Sequence, residues 1–326
     1  MENQNILVQI NKYVKAYKHS IIILTANELG IFNELSKKGS TPLNISKKLN
    51  LNLKGLTILL NALVNLGLLK KMKNLYYLKK EYVPFLVTGG KYYIGDSLKH
   101  DLNLLDSWIK LPKVIKTGKP AREGKRSKKE HENFILAMAN SSQLRINDFF
   151  NAIDLSDCKK FLDVGGGPGT FSLQAVRRKK DLIAYNFDLP ETINIAKKYL
   201  SSFNESKRIK LVKGDYFKDD FGNDYDVILL SNIIHSLGEQ EILKLFKKAF
   251  LSLNKEGKLI VKDFYLKENK IEPQRAVLFA INMLVNTKNG NTYTKKEVTN
   301  LLSKAGFKKT KYTFVNEDVE FIEAYK

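Results

Sequence analysis

The sequence is poor in cysteine, in acidic residues and in long apolar runs. Cys158 is the only cysteine among 326 residues, so the chain cannot form an internal disulfide, and a reducing cytoplasm is expected. Apolar stretches such as Ile21–Leu24 are far too short to cross a bilayer. The first residues lack the basic and apolar regions of a secretory signal. We therefore expect a soluble protein without a membrane partner.

Acidic residues are outnumbered, with 34 Asp and Glu against 55 Lys and Arg and a net charge of +21. Such an excess can indicate an RNA or DNA partner or an acidic substrate. The basic residues, however, occur in short runs along most of the chain, for example Lys37-Lys38 and Lys308-Lys309. This spread favours an ordinary solvated surface over a nucleic-acid site. No His, Cys or Asp cluster has metal-ligand spacing, so no metal is expected.

A glycine-rich segment is the most informative part of the chain. The apolar run Phe161–Val164 leads into Gly-Gly-Gly-Pro-Gly at residues 165–169, and a helical pattern follows at 171–176. A strand, a glycine loop and a helix in this order form a nucleotide-type ligand site. The strict dinucleotide fingerprint is not met, and Pro168 removes a backbone donor that a pyrophosphate would use. A ligand without phosphates fits this loop better.

Residues 1–100 are predicted to form a mainly helical domain. Two helical patterns, at 41–49 and 53–66, precede two short strands around Lys73-Asn74, and this order is typical of a winged helix. The two interpretations are a DNA-binding domain and a module for protein contacts.

Residues 101–150 are predicted to be helical, with a break at 116–120. The charged segment at 122–131 is expected to be an exposed loop, and its alternative is a basic clamp.

Residues 151–326 alternate short apolar runs with helical patterns, which predicts an α/β domain with a mainly parallel sheet. The expected parallel strands are Lys160–Val164, Leu182–Phe187, Ile209–Val212, Asp226–Ser231 and Lys258–Phe264. No helical pattern separates Phe307–Val315 from Val319–Tyr325. These last two segments are expected to form an antiparallel hairpin that closes the sheet.

Acidic residues follow two of the predicted strands, where an open α/β sheet binds its ligand. Asp188 lies 23 residues after Gly165 and could accept hydrogen bonds from both hydroxyls of a ribose. Its alternative role is a helix cap before Pro190. Asp215 could accept from an adenine amino group while Tyr216 covers the ring, and the alternative is a purely structural turn.

His235 follows the next predicted strand, and Asp263 ends the one after it. A carboxylate bonded to one imidazole nitrogen fixes the tautomer and stabilises the protonated ring. The other nitrogen is then free to take a proton from a substrate hydroxyl, which is worth about 10²–10⁴-fold in rate. The remaining histidines are expected to be surface or structural residues: His19, His100 and His131.

Together these residues resemble the cation-independent small-molecule O-methyltransferases that use S-adenosylmethionine. Leu162–Gly169, Phe187–Pro190 and Gly214–Phe217 are similar to the family's first three cofactor motifs. Ile233–His235 lies where the family has its His-Asp-Trp motif, with Ser236-Leu237 in place of Asp-Trp. The resemblance covers almost the whole chain, and it is specific because the motifs share both order and spacing.

The resemblance implies a Rossmann-like class I methyltransferase domain at 151–326, a connector at 101–150 that lines the acceptor pocket, and a winged-helix dimerisation domain at 1–100. It further implies a homodimer, S-adenosylmethionine as cofactor with S-adenosylhomocysteine as product, and no nucleic-acid partner. The residues carried over to the cofactor are Asp163, Gly165, Gly167, Asp188, Leu189, Asp215, Tyr216 and Ser231.

For the acceptor pocket, the resemblance points to Phe134, Met138, Phe279, Asn282 and Met283. Apolar side chains such as Met138 could equally be core residues. Ser231 stands where relatives often have a basic residue near adenine. The second acidic partner of the base falls near Thr292, which leaves Asp263 as the sole carboxylate that orients His235.

The expected reaction is methyl transfer from S-adenosylmethionine to a hydroxyl of a small aromatic or polycyclic metabolite. His235 would be the base and Asp263 its orienting partner. The alternatives are a methyltransferase or winged-helix regulator that acts on RNA or DNA, and a family member that performs C-methylation or non-methylating chemistry.

Overall fold

The computed structural model describes residues 2–121, 124 and 126–326. Residues 1–105 form one compact unit and residues 106–326 another. None of the helices in this described part of the chain combines the length and the apolar content needed to span a bilayer.

The first unit consists of helices around one β-hairpin. Its helices are α1 (Glu2–Glu28), α2 (Ile31–Glu34), α3 (Pro42–Leu49), α4 (Leu53–Asn65), α5 (Val83–Leu86) and the start of α6 (Gly95–Trp108), and its strands are β1 (Leu69–Met72) and β2 (Leu75–Leu78). A short 3₁₀ helix spans Lys80–Tyr82. The order of α3, α4 and the hairpin is the one that the sequence predicts.

Local capping explains where α3 and α4 begin. The Thr41 side chain accepts a hydrogen bond from the Asn44 backbone N–H, and Pro42 occupies the first turn of α3. Asn52 caps α4 through the Gly55 N–H in the same way. Between these helices and the hairpin lies a core that includes the fully buried Tyr76.

The second unit is a seven-stranded sheet covered by helices on both faces. Its further helices are α7 (Leu111–Thr117), α8 (Lys128–Gln143), α9 (Ile146–Ala152), α10 (Thr170–Arg178), α11 (Pro190–Leu200), α12 (Glu239–Ser252), α13 (Gln274–Asn286) and α14 (Lys295–Ala305). The sheet strands are β3 (Lys160–Val164), β4 (Ile183–Asp188), β5 (Ile209–Lys213), β6 (Tyr225–Ser231), β7 (Leu253–Lys262), β10 (Lys309–Asn316) and β11 (Val319–Tyr325). A separate two-residue pair joins β8 (Tyr265–Leu266) to β9 (Tyr293–Thr294). Two further 3₁₀ helices span Asn204–Arg208 and Ile234–Ser236.

The strand order is β10-β11-β7-β6-β3-β4-β5, with β3 to β7 parallel and β11 antiparallel to both of its neighbours. The predicted parallel sheet and its closing hairpin are therefore confirmed. The order reverses between β3 and β6, because the chain runs outward from β3 to β4 and β5 and then returns to β6. Ligands of open α/β sheets bind at such a switch point.

Alternating side chains divide the core of this unit into two layers. Along β3, Phe161 packs in the layer beneath α9 and α10, whereas Leu162 packs in the layer beneath α12 and α14. Both side chains are fully buried. A strand that is buried on both faces reads as a continuous apolar run, which explains why the sequence reveals these strands clearly.

Two expectations need correction. The charged segment 122–131 is not a loop throughout: Ser127 caps α8 in a capping box with Glu130, so Lys128–His131 are helical. Arg122, Glu123 and Lys125 lie outside the described residues. In addition, β7 begins at Leu253 rather than at Lys258, because an irregularity in its pairing with β6 extends the strand towards α12.

Candidate active site

The glycine loop follows β3 at the switch point of the sheet. Gly165, Gly167 and Gly169 adopt positive φ angles of 65°, 57° and 83°, which side chains rarely tolerate. The N–H groups of Gly165 and Gly166 both face the Phe187 carbonyl oxygen, which anchors the loop to β4. A Cβ on Gly165 would lie only 2.5 Å from Cδ1 of Ile233, whereas one on Gly167 would meet nothing within 4 Å. Gly167 therefore presents bare backbone to open space.

Asp163 lies beneath this loop. Its carboxyl accepts a hydrogen bond from the Ser172 hydroxyl at 3.1 Å, and the residue is only 1% exposed. Burial raises the pKa of Asp163 to about 7. The structure thus gives Asp163 a supporting position between β3 and α10.

Asp188, at the end of β4, is held by backbone donors. Its Oδ2 accepts from the Gly167 N–H at 2.8 Å and its Oδ1 from the Leu189 N–H at 2.7 Å. Burial raises the pKa of Asp188, while these hydrogen bonds oppose the rise. The carboxylate is therefore fixed beside the glycine loop. Leu189 is 39% exposed next to it, at the start of α11.

His131 is a residue near this site whose position the sequence did not indicate. Its Nε2 lies 3.0 Å from the Thr192 hydroxyl, which in turn bonds to Asp188. Burial lowers the pKa of His131, and the carboxylates of Glu191 and Asp188 oppose this. Only the tertiary packing of α8 against α11 brings the histidine here, although it lies about 57 residues from Asp188 in the chain.

Asp215 and Tyr216 follow β5. Asp215 Oδ1 accepts from the Phe217 N–H at 2.9 Å, so this carboxylate closes its own turn. The Tyr216 and Phe217 rings meet edge to face with 4.7 Å between their centroids. Burial raises the pKa of the Tyr216 phenol to about 12. Lys248 fixes the turn through the Tyr216 carbonyl at 2.9 Å.

Ser231 is the last residue of β6, which pairs with β3, the strand that leads into the glycine loop. Its hydroxyl oxygen is buried and has no hydrogen-bond partner in the described part of the chain. Such a group costs about 1–3 kcal/mol when it is left without a partner.

His235 and Asp263 form a hydrogen-bonded pair of ionisable groups at this edge of the sheet. Nδ1 of His235 lies 2.7 Å from Oδ1 of Asp263, and their side chains are only 12% and 2% exposed. Asp263 also accepts from the backbone N–H groups of Phe264, at 2.8 Å, and of His235, at 3.3 Å. An ionised carboxylate only accepts, so the proton of this contact lies on Nδ1, and Nε2 is the ring nitrogen that does not face Asp263.

Two phenylalanines fix the other side of the imidazole. The Phe279 ring meets His235 edge on at 4.8 Å between centroids, and the Phe264 ring lies 5.9 Å away. Phe264 and Phe279 themselves lie 4.2 Å apart. The His235 imidazole is therefore flanked by an aromatic wall.

The residues expected in the acceptor pocket lie on α8 and α13. Phe134 and Met138 are one helical turn apart on α8, and both are partly buried. On α13, Phe279 contacts His235 and Met283 is buried, with an exposure of 7%. The Asn282 side-chain oxygen accepts from Trp108 Nε1 at 3.1 Å and from Asn286 Nδ2 at 2.9 Å.

Thr292 does not bring a second polar group to His235. It is buried, and its hydroxyl donates to the Ala276 carbonyl of α13 at 3.2 Å. Among residues 2–121, 124 and 126–326, no group of three or more His, Cys, Asp or Glu side chains is placed to hold a metal ion.

Two family models match the chain. Residues 109–308 match an O-methyltransferase domain, and residues 11–82 match an O-methyltransferase dimerisation domain. The chain belongs to the O-methyltransferase family. Enzymes of this family draw the methyl group from S-adenosylmethionine, so this O-methyltransferase is a S-adenosylmethionine-dependent enzyme with small-molecule substrates.

Relatives of known activity match this O-methyltransferase over most of its length. It is 26% identical to the 3-hydroxy-5-methyl-1-naphthoate 3-O-methyltransferase of Streptomyces sahachiroi, over 87% of this chain and 84% of that one. It is 27% identical to the acetylserotonin O-methyltransferase of Gallus gallus, over 92% of this chain and 91% of that one. The crystal structure of human N-acetylserotonin methyltransferase in complex with SAM has the same fold, with a TM-score of 0.90 at 23% identity over 98% and 97% of the two chains.

The first prediction concerns the contact between the glycine loop and Ile233. Gly165→Ala places a methyl group against Ile233 Cδ1 and strains a positive φ angle, so the loop must move. We expect the dissociation constant for S-adenosylhomocysteine, measured by calorimetry, to rise by roughly tenfold or more.

Gly118→Ala is the matched control, because its φ of 64° carries the same backbone strain while its Cβ meets nothing within 4 Å. Equal affinities for the two variants would contradict the importance of the Gly165 contact.

The second prediction concerns pH. Because burial raises the pKa of Asp163 to about 7, the folded protein retains a proton that the unfolded chain releases above about pH 4. The contribution of Asp163 to stability therefore falls as pH rises from 4 to 7. The Asp163→Asn side chain cannot ionise. The difference in free energy of unfolding between this variant and the wild type, measured with urea, should therefore change in favour of the variant by up to roughly 4 kcal/mol as the pH rises from 4 to 7. Parallel profiles would show that Asp163 does not titrate there.

Proposed function

We propose that the protein transfers a methyl group to the hydroxyl of a small aromatic metabolite, with His235 as general base and Asp263 as its orienting partner. The observation that carries this proposal is the 2.7 Å contact between Nδ1 and Oδ1, which fixes the ring so that Nε2 is the nitrogen available to a substrate beside an aromatic wall.

The residues at the switch point fit S-adenosylmethionine. Gly167 leaves open space beside its Cα, Asp188 offers a fixed carboxylate, and Ser231 offers a buried hydroxyl without a partner in the described part of the chain. Gly165 and Asp163 shape the glycine loop. Leu189 adds an apolar side chain at its border, and the turn at Asp215-Tyr216 adds polar groups. When bound, the cofactor supplies an electrophilic methyl group on a positively charged sulfur.

The proton of the acceptor hydroxyl passes to Nε2 of His235. The imidazole then carries a positive charge, which the Asp263 carboxylate stabilises through Nδ1–H. Three donors hold this carboxylate, so little reorganisation is needed when the charge develops. The largely buried setting of both side chains keeps water from competing for the proton.

The aromatic side chains around His235 favour an aromatic methyl acceptor. Phe264 and Phe279 give the surroundings of His235 an aromatic surface, and flat aromatic rings pack well against such surfaces. The naphthoate and acetylserotonin relatives are both named for acceptors with fused rings. Phe134, Met138, Asn282 and Met283 would complete the pocket on α8 and α13.

The third prediction tests the base. His235→Ala should lower kcat for methyl transfer by about 10²–10⁴-fold, because the proton acceptor is lost. Asp263→Asn should also lower kcat, by a smaller factor, since the amide can still hold the ring without its charge. Transfer is measured with radiolabelled S-adenosylmethionine and a panel containing N-acetylserotonin and hydroxynaphthoates.

His19→Ala provides the control, since His19 is exposed on α1. Both His235→Ala and the control should bind S-adenosylhomocysteine as wild type does. A His235→Ala enzyme with undiminished kcat would refute the role of His235 as base.

We further propose that the protein is a homodimer built on its winged-helix-like first unit. Residues 11–82 match the dimerisation domain, and α1 presents an exposed apolar stripe at helical spacing. The stripe residues are Ile6, Ile10, Tyr13, Val14, Tyr17 and Ile21.

The fourth prediction separates the two sides of α1. Ile10→Asp places a charge within the stripe and should shift the protein towards monomer in sedimentation velocity, because a charge opposed by apolar surface is costly. Val8→Asp is the matched control: Val8 is 67% exposed but lies across the helix from Ile10, which is 53% exposed. Identical sedimentation of both variants as dimers would exclude this face as the interface.

A further inference from the structure

A lysine ends β7 immediately before the carboxylate that orients the base. Lys262 lies one residue before Asp263 and pairs in register with Ser231, at the edge of the sheet that carries the candidate site. Side chains alternate along a strand, so Lys262 is on the face of Ile260, towards α9 and α10. Nothing in the proposed methyl transfer uses this amine.

The Lys262 amine makes only a long hydrogen bond and no ion pair within the described part of the chain. Its Nζ lies 3.5 Å from Oδ1 of Asn232, which is the outer limit of a hydrogen bond. No carboxylate of the described chain lies within ion-pair distance of it. Burial lowers the pKa of Lys262 to about 8, with Asp263 opposing this effect and Arg275 and Arg145 adding to it.

The neighbouring carboxylates are already engaged. Asp263 is bonded to His235 and to two backbone N–H groups. Asp318 binds Arg145, with Nε 2.5 Å from Oδ2, and also binds Arg275. Three cations therefore surround two carboxylates, and Lys262 is the cation that lacks a carboxylate of its own.

Glu320 does not cancel this excess. It also faces Arg275, but it accepts hydrogen bonds from the Tyr312 hydroxyl at 2.7 Å and from the Tyr265 N–H at 3.3 Å. Lys295 is a further cation that faces Glu320. Lys262 thus remains the cation of this group that has no carboxylate within ion-pair distance in the described part of the chain.

This charge lies beside the acceptor side of the site. Asn232, the partner of Lys262, is three residues before His235. Arg275 is in the first turn of α13, one turn before Phe279, and its guanidinium lies 4.6 Å from the Phe264 ring centroid. Arg145 lies between α8 and α9. The two helices proposed to hold the acceptor therefore each begin or end at an arginine of this cluster.

We infer that Lys262, supported by Arg145 and Arg275, selects an acceptor that carries an anionic group, a carboxylate, in addition to its hydroxyl. A carboxylate next to Nζ would supply the missing opposite charge and the strong hydrogen bond that the amine lacks. This inference rests on the proposed placement of the acceptor beside His235. The acceptors named for two relatives differ in this respect, because a naphthoate carries a carboxylate and acetylserotonin carries none.

The test measures binding to the protein saturated with S-adenosylhomocysteine, so it does not depend on turnover. The probes are 3-hydroxy-2-naphthoate and the matching carboxamide, which has the same shape without the charge. The wild-type protein should bind the carboxylate at least about tenfold more tightly. Lys262→Met should abolish that preference and leave S-adenosylhomocysteine binding unchanged.

Two further variants test whether the preference depends on Lys262 itself and on its charge. Lys267→Met removes an exposed lysine that pairs with Glu272, and it should retain the preference. Lys262→Arg keeps the charge and should retain most of it. Raising the pH through about 8 should weaken the preference in wild type, as the lysine loses its proton, but not in Lys262→Arg.

Equal binding of both probes to the wild type, or equal losses for both probes in Lys262→Met, would overturn the inference. Neither outcome would affect the proposed methyl transfer, which the His235→Ala kinetics test separately. Conversely, a carboxylate preference that depends on Lys262 would stand even if His235→Ala retained full activity.

Discussion

The site depends on the hydrogen-bonded register of the central strands. Phe187, Val164, Leu230 and Val261 lie in one row across β4, β3, β6 and β7, and all are buried. Because the strands are parallel, the residues that follow this row emerge at one edge of the sheet: Asp188, Gly165, Ser231 and Lys262. A shift of one residue in any strand would turn its side chains to the opposite face and dismantle the site.

At this edge two backbone segments bring His235 and Asp263 together. Asn232 adopts a left-handed conformation with φ of 57°, and its N–H donates to the Lys262 carbonyl at 2.7 Å. This tie joins the loop after β6 to the end of β7, so His235 arrives beside Asp263. Lys262, the residue before Asp263, is held by the same tie, so the proposed charge selection and the proposed proton removal depend on one backbone contact.

The sequence predicted the strands of the second unit well, because segments buried on both faces leave continuous apolar runs, as at Phe161–Val164. It also indicated the pairing of His235 with Asp263, because His235 lies shortly after one predicted strand and Asp263 lies at the end of the next. It failed at Lys128–His131, where the capping box of α8 outweighs a charged composition. The proposed roles of the cofactor and acceptor residues remain predictions.

The sequence by itself determined the family, the order of the strands along the chain and the glycine loop, since these depend on local patterns and motif spacing. Only the tertiary structure decided which distant groups meet. His131 reaches Thr192 through helix packing, and Lys262 is left without a carboxylate because the turn at Asp318 is occupied by two arginines. Such outcomes depend on burial and on competition for partners, which no local pattern in the sequence records.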